Sequence, residues 1–277
     1  MANKVNKAFT LPRLALSAWM AAWLGLAGSL VGCSGSPRAT SAASRQISPL
    51  GDSRQVVLVV SRDWDATGAI SQCYQRGGTG RPWEPVGGSI PVNIGRAGLA
   101  WGQGLHGEPP LPGPVKREGD GKAPAGVFEL PLAFGYAPAG QVPDVKLPYL
   151  ALTVDIVGVD DVKSKYYNHL VNANLVPLKD WDSAETMRRA DGLYEWGVFV
   201  NHNTAPIKPG AGSCIFLHVW RGENSPTAGC TAMSRQEMIR LVSWLDGRAK
   251  PLLVQLPHQA YLRLAGAWGL PSPAKIP

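Results

Sequence analysis

Short apolar runs recur along the chain, each closed off by glycine, proline or another turn residue. Residues 55–60 (QVVLVV), 89–95 (SIPVNIG), 126–130 (GVFEL), 149–157 (YLALTVDIV), 196–200 (WGVFV) and 214–219 (CIFLHV) all have this form, which predicts strands. The runs 125–130 and 214–219 are apolar at consecutive positions, as expected of strands covered on both faces. Residues 251–256 (PLLVQL) return to the same sheet. The pattern predicts a mainly β fold, a β-sandwich or mixed sheet, with a few short helices.

Helical periodicity is scarce. Ser234 and Glu237 have the spacing of a capping box, and Met238, Leu241, Val242 and Leu245 share one face before Gly247. This predicts a helix, with Cys230 in the turn just before it. A second helix is predicted over residues 180–189 (DWDSAETMRR), capped by Asp182 or Ser183, with Met187 pointing inward. No repeat period is visible. Residues 95–104 (GRAGLAWGQG) resemble a phosphate-binding loop only loosely, and no helix pattern follows them.

The amino terminus changes the chemical setting. Lys4, Lys7 and Arg13, with no acids, precede an almost uncharged run ending in Leu30-Val31-Gly32-Cys33. This predicts a secretory signal peptide over residues 1–32 with a lipobox, Cys33 being lipidated and becoming the first mature residue. An uncleaved anchor and an ordinary cleaved signal are the alternatives, and all three place the bulk of the chain outside the cytoplasm. Residues 33–53 are rich in Ser, Ala, Pro and Gly and read as a flexible tether. Residues 54–257 have the composition of one globular domain, and 258–277 read as a tail. The chain has 27 Lys and Arg against 20 Asp and Glu; without residues 1–32 the balance is 24 against 20, or +4. No basic run suggests a nucleic-acid surface.

In an oxidising compartment the pair His218 and Cys230, twelve positions apart, stands out. A thiol with an ordinary pKa near 8.5 is mostly protonated at neutral pH, so a nucleophilic cysteine needs an imidazole or a helix N-terminus beside it. Gly229 permits a tight turn before the sulfur. The backbone N–H groups of Cys230 and Thr231 could face the oxygen of an attacked carbonyl. A packed thiol beside a hydrogen-bonded core histidine is the alternative.

The chain resembles the L,D-transpeptidase catalytic domain (YkuD type), whose signature is a strand-borne histidine followed, after a loop, by Ser/Thr, one residue and Gly-Cys. The corresponding positions are His218, Thr227, Gly229 and Cys230. A second element of that family, T-P-x-G-x-F, is matched by APAGVF, with Pro124, Gly126 and Phe128. Residues 119–138, 159–168, 180–189 and 212–220 are similar to a subgroup of the family. Departures are Ala123 for the threonine of the second element, Ala228 where many members carry His, and Ala232 where many carry an arginine for the substrate's carboxylate. Arg221 and Arg235 are near enough in sequence to substitute for that arginine.

The resemblance implies a periplasmic, membrane-anchored enzyme whose partner is the peptidoglycan stem peptide. Ser34 fits passage to the outer membrane of a Gram-negative cell. Cys230 would attack the carbonyl of the third stem residue, expel the terminal D-alanine and pass the acyl group to an amine, that of a neighbouring stem to give a cross-link or that of a protein lysine to give an anchored protein. With water as acceptor the outcome would be L,D-carboxypeptidase or endopeptidase activity, and a catalytically silent wall-binding lipoprotein is a further alternative. No metal or organic cofactor is implied.

Several other residues are candidates for lining a cleft. His202 and Asn203 end a strand that could lie beside that of His218; Tyr167, with Tyr166 and Asn168, could touch substrate; Trp220 could wall the acyl pocket. Asp160 and Asp161, being adjacent on a strand, read as structural. Cys73 and Cys214 could pair, although a buried free thiol is the favoured state of Cys214. A zinc site built from the histidines lacks HxxxH or HxH spacing.

Overall fold

The computed structural model describes residues 48–272, all within the compact unit Arg45–Pro277. The signal segment, Cys33 and most of the expected tether lie outside the described residues. Fourteen strands are found among those described. The first seven are β1 (Gln55–Ser61), β2 (Gly68–Gln75), β3 (Glu84–Asn93), β4 (Leu99–Trp101), β5 (Ala123–Glu129), β6 (Leu132–Gly135) and β7 (Tyr149–Ala151). The rest are β8 (Ile156–Val159), β9 (Leu170–Asn172), β10 (Ala184–Thr186), β11 (Trp196–Phe199), β12 (Phe216–Val219), β13 (Thr231–Met233) and β14 (Leu252–Pro257). Two α-helices, α1 (Arg235–Trp244) and α2 (His258–Trp268), complete a mainly β protein.

Eleven strands form one mixed sheet in the order β4-β5-β14-β1-β2-β3-β13-β12-β11-β6-β7, and β10-β8-β9 form a small second sheet. The run at 149–157 is therefore not one strand. Its start pairs with β6 at the edge of the large sheet, while its end opens the central strand of the small one.

Side-chain alternation along β12 decides what faces what. Leu217 and Val219 enter the main core with β1, β5, β14 and both helices, whereas Phe216 joins a second cluster with Phe134, Tyr194, Cys214 and Cys230. His218 follows Phe216 to that side, its ring 5.2 Å from that of Tyr194.

Local chemistry explains where the expectations fail. Residues 180–189 do not form a helix: Ala184–Thr186 pair with β8 instead. The supposed cap residues serve the small sheet, because Ser183 Oγ donates to Asp160 at 2.6 Å and the Asp182 N–H to Asp161 at 2.8 Å. Short polar side chains that bond neighbouring loops compete with helix formation in this way. Met187 still points inward and is fully buried. Asp160 and Asp161 are thus stitching groups of the loops.

The capping box is present at α1, where Ser234 Oγ accepts from the Glu237 N–H and Met238, Leu241 and Val242 are buried. Cys230 is not in the turn before that helix, however, since β13 lies between them. The end of the chain is not a loose tail: α2 buries Ala260, Tyr261, Leu264 and Trp268 against the main core. Leu50, expected in the tether, is also part of that core. Among the described residues, no helix is long and apolar enough to cross a membrane.

Candidate active site

The parallel pairing of β12 with β13 sets His218 opposite Ala232, two residues beyond Cys230. The turn before β13 is built tightly. Thr227 Oγ1 donates to the Cys230 carbonyl at 2.6 Å and accepts from the Gly229 N–H at 3.1 Å. Gly229 sits at φ +155°, and a Cβ there would come to 3.0 Å of the Lys122 carbonyl oxygen, so the position before the cysteine requires glycine. Beyond the sulfur, Thr231 Oγ1 donates to buried Gln255 on β14 at 2.7 Å, and Gln255 in turn donates to the Pro124 carbonyl at 2.9 Å. The APAGVF element thus supports the cysteine through one core glutamine.

Cys230 Sγ accepts from the Phe216 N–H at 3.4 Å and lies 3.7 Å from the Cys214 carbonyl oxygen, to which the thiol donates. The Cys230 N–H itself donates to no group among the described residues. His218 Nδ1 lies 2.7 Å from the Val219 carbonyl. That contact calls for a proton on Nδ1 and leaves the Nε2 lone pair as the acceptor. No hydrogen bond joins His218 to Cys230; they meet as walls of one cleft of about 760 Å³.

Burial sets the resting charge state. Loss of water pushes the Cys230 thiol up to about 12, opposed by the Phe216 N–H, and pushes His218 down to about 4, opposed by its bond to Val219. At neutral pH both groups are neutral: a thiol with a proton to give and an imidazole able to take one.

Of the residues singled out from sequence, Thr227, Gly229, Trp220 and Arg221 line this cleft with the pair. Thr231 anchors it from behind. Tyr167 is buried at 2 % exposure and is not a wall residue, but its hydroxyl bonds Glu118, which is. His202 and Asn203 lie outside the cleft. The His202 ring is held between the Gln103 N–H and the Ala211 carbonyl and packs edge-on against Phe128, while Asn203 ties down the loop at 208–212. Asn168 links these regions, donating to the His202 and Asn203 carbonyls and accepting from the Cys214 N–H. Cys73, Cys214 and Cys230 are all free, and Cys214 is buried. Among the described residues no three His, Cys, Asp or Glu come together as a metal-binding set.

Sequence reasoning missed the charged walls. Arg96, Glu118 and Arg189 line the cleft, and Arg235 does not. Arg189 reaches Asp191 at 2.6 Å and Glu185 at 3.2 Å over the Tyr194 ring, and Arg235 is spent on Glu195 at 2.7 Å. The available signal was the glycine-punctuated charged loop at 116–122 (KREGDGK) just ahead of APAGVF. No protein family, curated protein or solved structure matches the chain.

Proposed function

We propose that the protein is a cysteine-dependent L,D-transpeptidase of the YkuD type, acting on peptidoglycan stem peptides from a lipid-anchored position in the periplasm. One observation carries this reading: the thiol of Cys230, an imidazole with its Nε2 lone pair free and an uncommitted Cys230 N–H all belong to one open cleft. The twelve-residue His-to-Cys spacing with Thr227 and Gly229, and the APAGVF element behind the cysteine, support the family assignment. The large mixed sheet that carries His218 and the turn before β13 supports the reading only at the coarser level of a mainly β fold.

In this mechanism His218 Nε2 takes the thiol proton as Sγ attacks the carbonyl of the third stem residue. The oxyanion faces the Cys230 N–H, and the Phe216 N–H steadies the sulfur. Collapse expels the terminal D-alanine amine, which takes the proton back from His218 and leaves a thioester. An amine then attacks the thioester, forming an amide and restoring the thiol. Because Cys230 and His218 rest as neutral partners, the proton moves to His218 as sulfur attacks the carbonyl rather than beforehand.

The test is the intact mass of the mature chain after incubation with a disaccharide tetrapeptide. An adduct of the acyl tripeptide on Cys230, with loss of one alanine, is the expected result, and Cys230→Ser gives none. Absence of the adduct in the wild type, or an adduct that persists in Cys230→Ser, overturns the assignment.

A further inference from the structure

A cavity of about 340 Å³ lies on the other face of β13 from the cleft, enclosed by the β2–β3 hairpin, β13 and α1. Ala232 lines the cleft, and the next residue, Met233, lines this cavity, because neighbouring side chains of a strand point to opposite faces. The chemistry proposed above makes no use of it.

The backbone around it is fixed, and its rim is bare. Buried Gln72 sits at the β-bulge between Ser71 and Cys73, and its Nε2 donates at 3.1–3.2 Å toward the carbonyls of Cys73, Val86 and Gly87. A bulge bends its strand, and this clamp sets the bend. Gly87, at φ +66°, and Gly88 follow on β3, and a Cβ at either would meet nothing within 4 Å. On the helix side Glu237, Arg240, Leu241 and Trp244 recur at helical spacing and share one face.

The lining is chiefly apolar, from Val86, Ile90, Met233, Leu241 and the Trp244 ring. Its two charges cancel, since Arg240 reaches Glu237 at 2.6 Å. One polar group is left over. The indole N–H of Trp244 is shielded from solvent and has no hydrogen-bond partner among the described residues. A buried donor left unpaired is costly, and such groups call for an explanation.

These features define what fits. The apolar walls take a hydrocarbon body, and the orphan donor takes one acceptor. The ion pair disfavours either charge, since an anion would meet Glu237 and a cation Arg240. At about 30 Å³ for each water-sized unit, the space holds on the order of ten non-hydrogen atoms. We propose that this cavity binds a small uncharged apolar molecule with a single carbonyl, a ketone or an acyl ester, whose oxygen accepts from Trp244 Nε1. The proposal goes beyond the transpeptidase reading and stands or falls without it.

The experiment titrates the mature full-length chain by calorimetry, with Cys33→Ala so that neither lipid nor detergent competes. Three probes of equal carbon number differ in the head group: 2-octanone, octanoate and octylammonium. 2-Octanone should bind one per chain with a Kd of about 1 mM or tighter. The two ions should bind at least about tenfold more weakly, because a charge must lose its water to enter. Trp244→Phe keeps a ring and removes the N–H, and should weaken 2-octanone by about three- to tenfold, the range of one hydrogen bond. Arg240→Gln, an exposed change, unpairs Glu237 and should strengthen octylammonium by at least about threefold while moving 2-octanone by less than about twofold.

Absence of saturable 2-octanone binding overturns the proposal. Equal binding of all three probes does so too, since it marks an unselective apolar space with water on the indole. An affinity for 2-octanone untouched by Trp244→Phe, with octylammonium unmoved by Arg240→Gln, places the ketone elsewhere and is equally fatal. Concentration-dependent dimerisation that blocks 2-octanone would give the cavity to a second copy of the chain, and overturns the proposal as well.

Discussion

The two faces of β12 are built from opposite materials. On one side Leu217 and Val219 enter a core made of aliphatic side chains and rings such as Leu58, Phe128, Val254 and Trp268, closed by α1 and α2. On the other, Phe216 and His218 meet Tyr194, two thiols and, beyond them, Glu185 and Arg189. A four-residue strand thus turns its odd-numbered positions into the main core and its even-numbered ones toward the candidate site. If that division is real, substitutions on the two faces should have separable effects.

The largest expected effect is on the chemical face. His218→Gln keeps a similar volume and removes the base, so thioester formation should fall by about 10²- to 10⁴-fold, with the thermal unfolding midpoint little changed. A variant that acylates at the wild-type rate would mean that His218 is only a packed ring on Tyr194.

On the other face, Trp268→Ala should cost about 3–5 kcal/mol of stability, because this 2 %-exposed side chain closes α2 onto the core. Native-state acylation of Cys230 should stay within about threefold of wild type. Denaturant unfolding and single-turnover rates measured on the same sample decide this. If Trp268→Ala slows the chemistry as much as His218→Gln does, the two faces are one coupled unit.

The same contrast explains what the sequence could disclose. The main core was legible because its signal is local: runs such as QVVLVV and PLLVQL follow strand patterning, and the face of α1 follows helical spacing. The turn that carries Cys230 was legible because Thr227, Gly229 and Cys230 interact with one another across a few residues. The charged walls were not, since Glu118 and Ser213 lie 95 positions apart and no periodicity marks such a pair. The helix expected at 180–189 failed for a related reason. The segment carries helix-capping side chains, but their partners, Asp160 and Asp161, come from a distant loop. The C-terminal helix was overlooked because Pro257 precedes it without a side-chain cap.

Acid offers a gentler probe of both faces. Burial holds His218 at about 4 on the chemical face and His202, packed on Phe128, at about 4 on the other. An unfolded histidine takes up its proton near 6.5. Between pH 6.5 and 4 the unfolded chain therefore binds more protons than the folded one, and stability is lost as the pH falls through that window. Each ring contributes a loss on the order of 3 kcal/mol across it. Urea unfolding measured at several pH values should show this slope, and His218→Gln should reduce it by about one proton. An equal slope in the variant would show that His218 does not titrate between these limits.

The smallest effect concerns the arginine missing after Cys230. Four arginines compete for its role, and their partners separate them. Arg235 is bound bidentately to Glu195, Arg189 is held by Asp191 and Glu185, and Arg221 shares Asp191 at 3.4 Å. Arg96 is different. Its backbone N–H is pinned to the Thr227 carbonyl at 2.8 Å, beside the nucleophile turn. Its side chain crosses Gly121, where a Cβ would come within 3.1–3.2 Å of the guanidinium end. Its guanidinium makes no hydrogen bond or ion pair among the described residues, so in the proposed mechanism its charge is the one available to a donor's carboxylate. Arg96→Ala should raise the KM of a carboxylate-terminated donor by about tenfold, the lower end of a charge-assisted hydrogen bond at an exposed site, without changing alkylation of Cys230 by an uncharged reagent. Arg235→Ala, which breaks only a surface pair, should change either quantity by less than about twofold. A larger loss of donor affinity from Arg235→Ala than from Arg96→Ala would mean that the Glu195 pair opens on binding, and that the free guanidinium at Arg96 faces nothing but solvent.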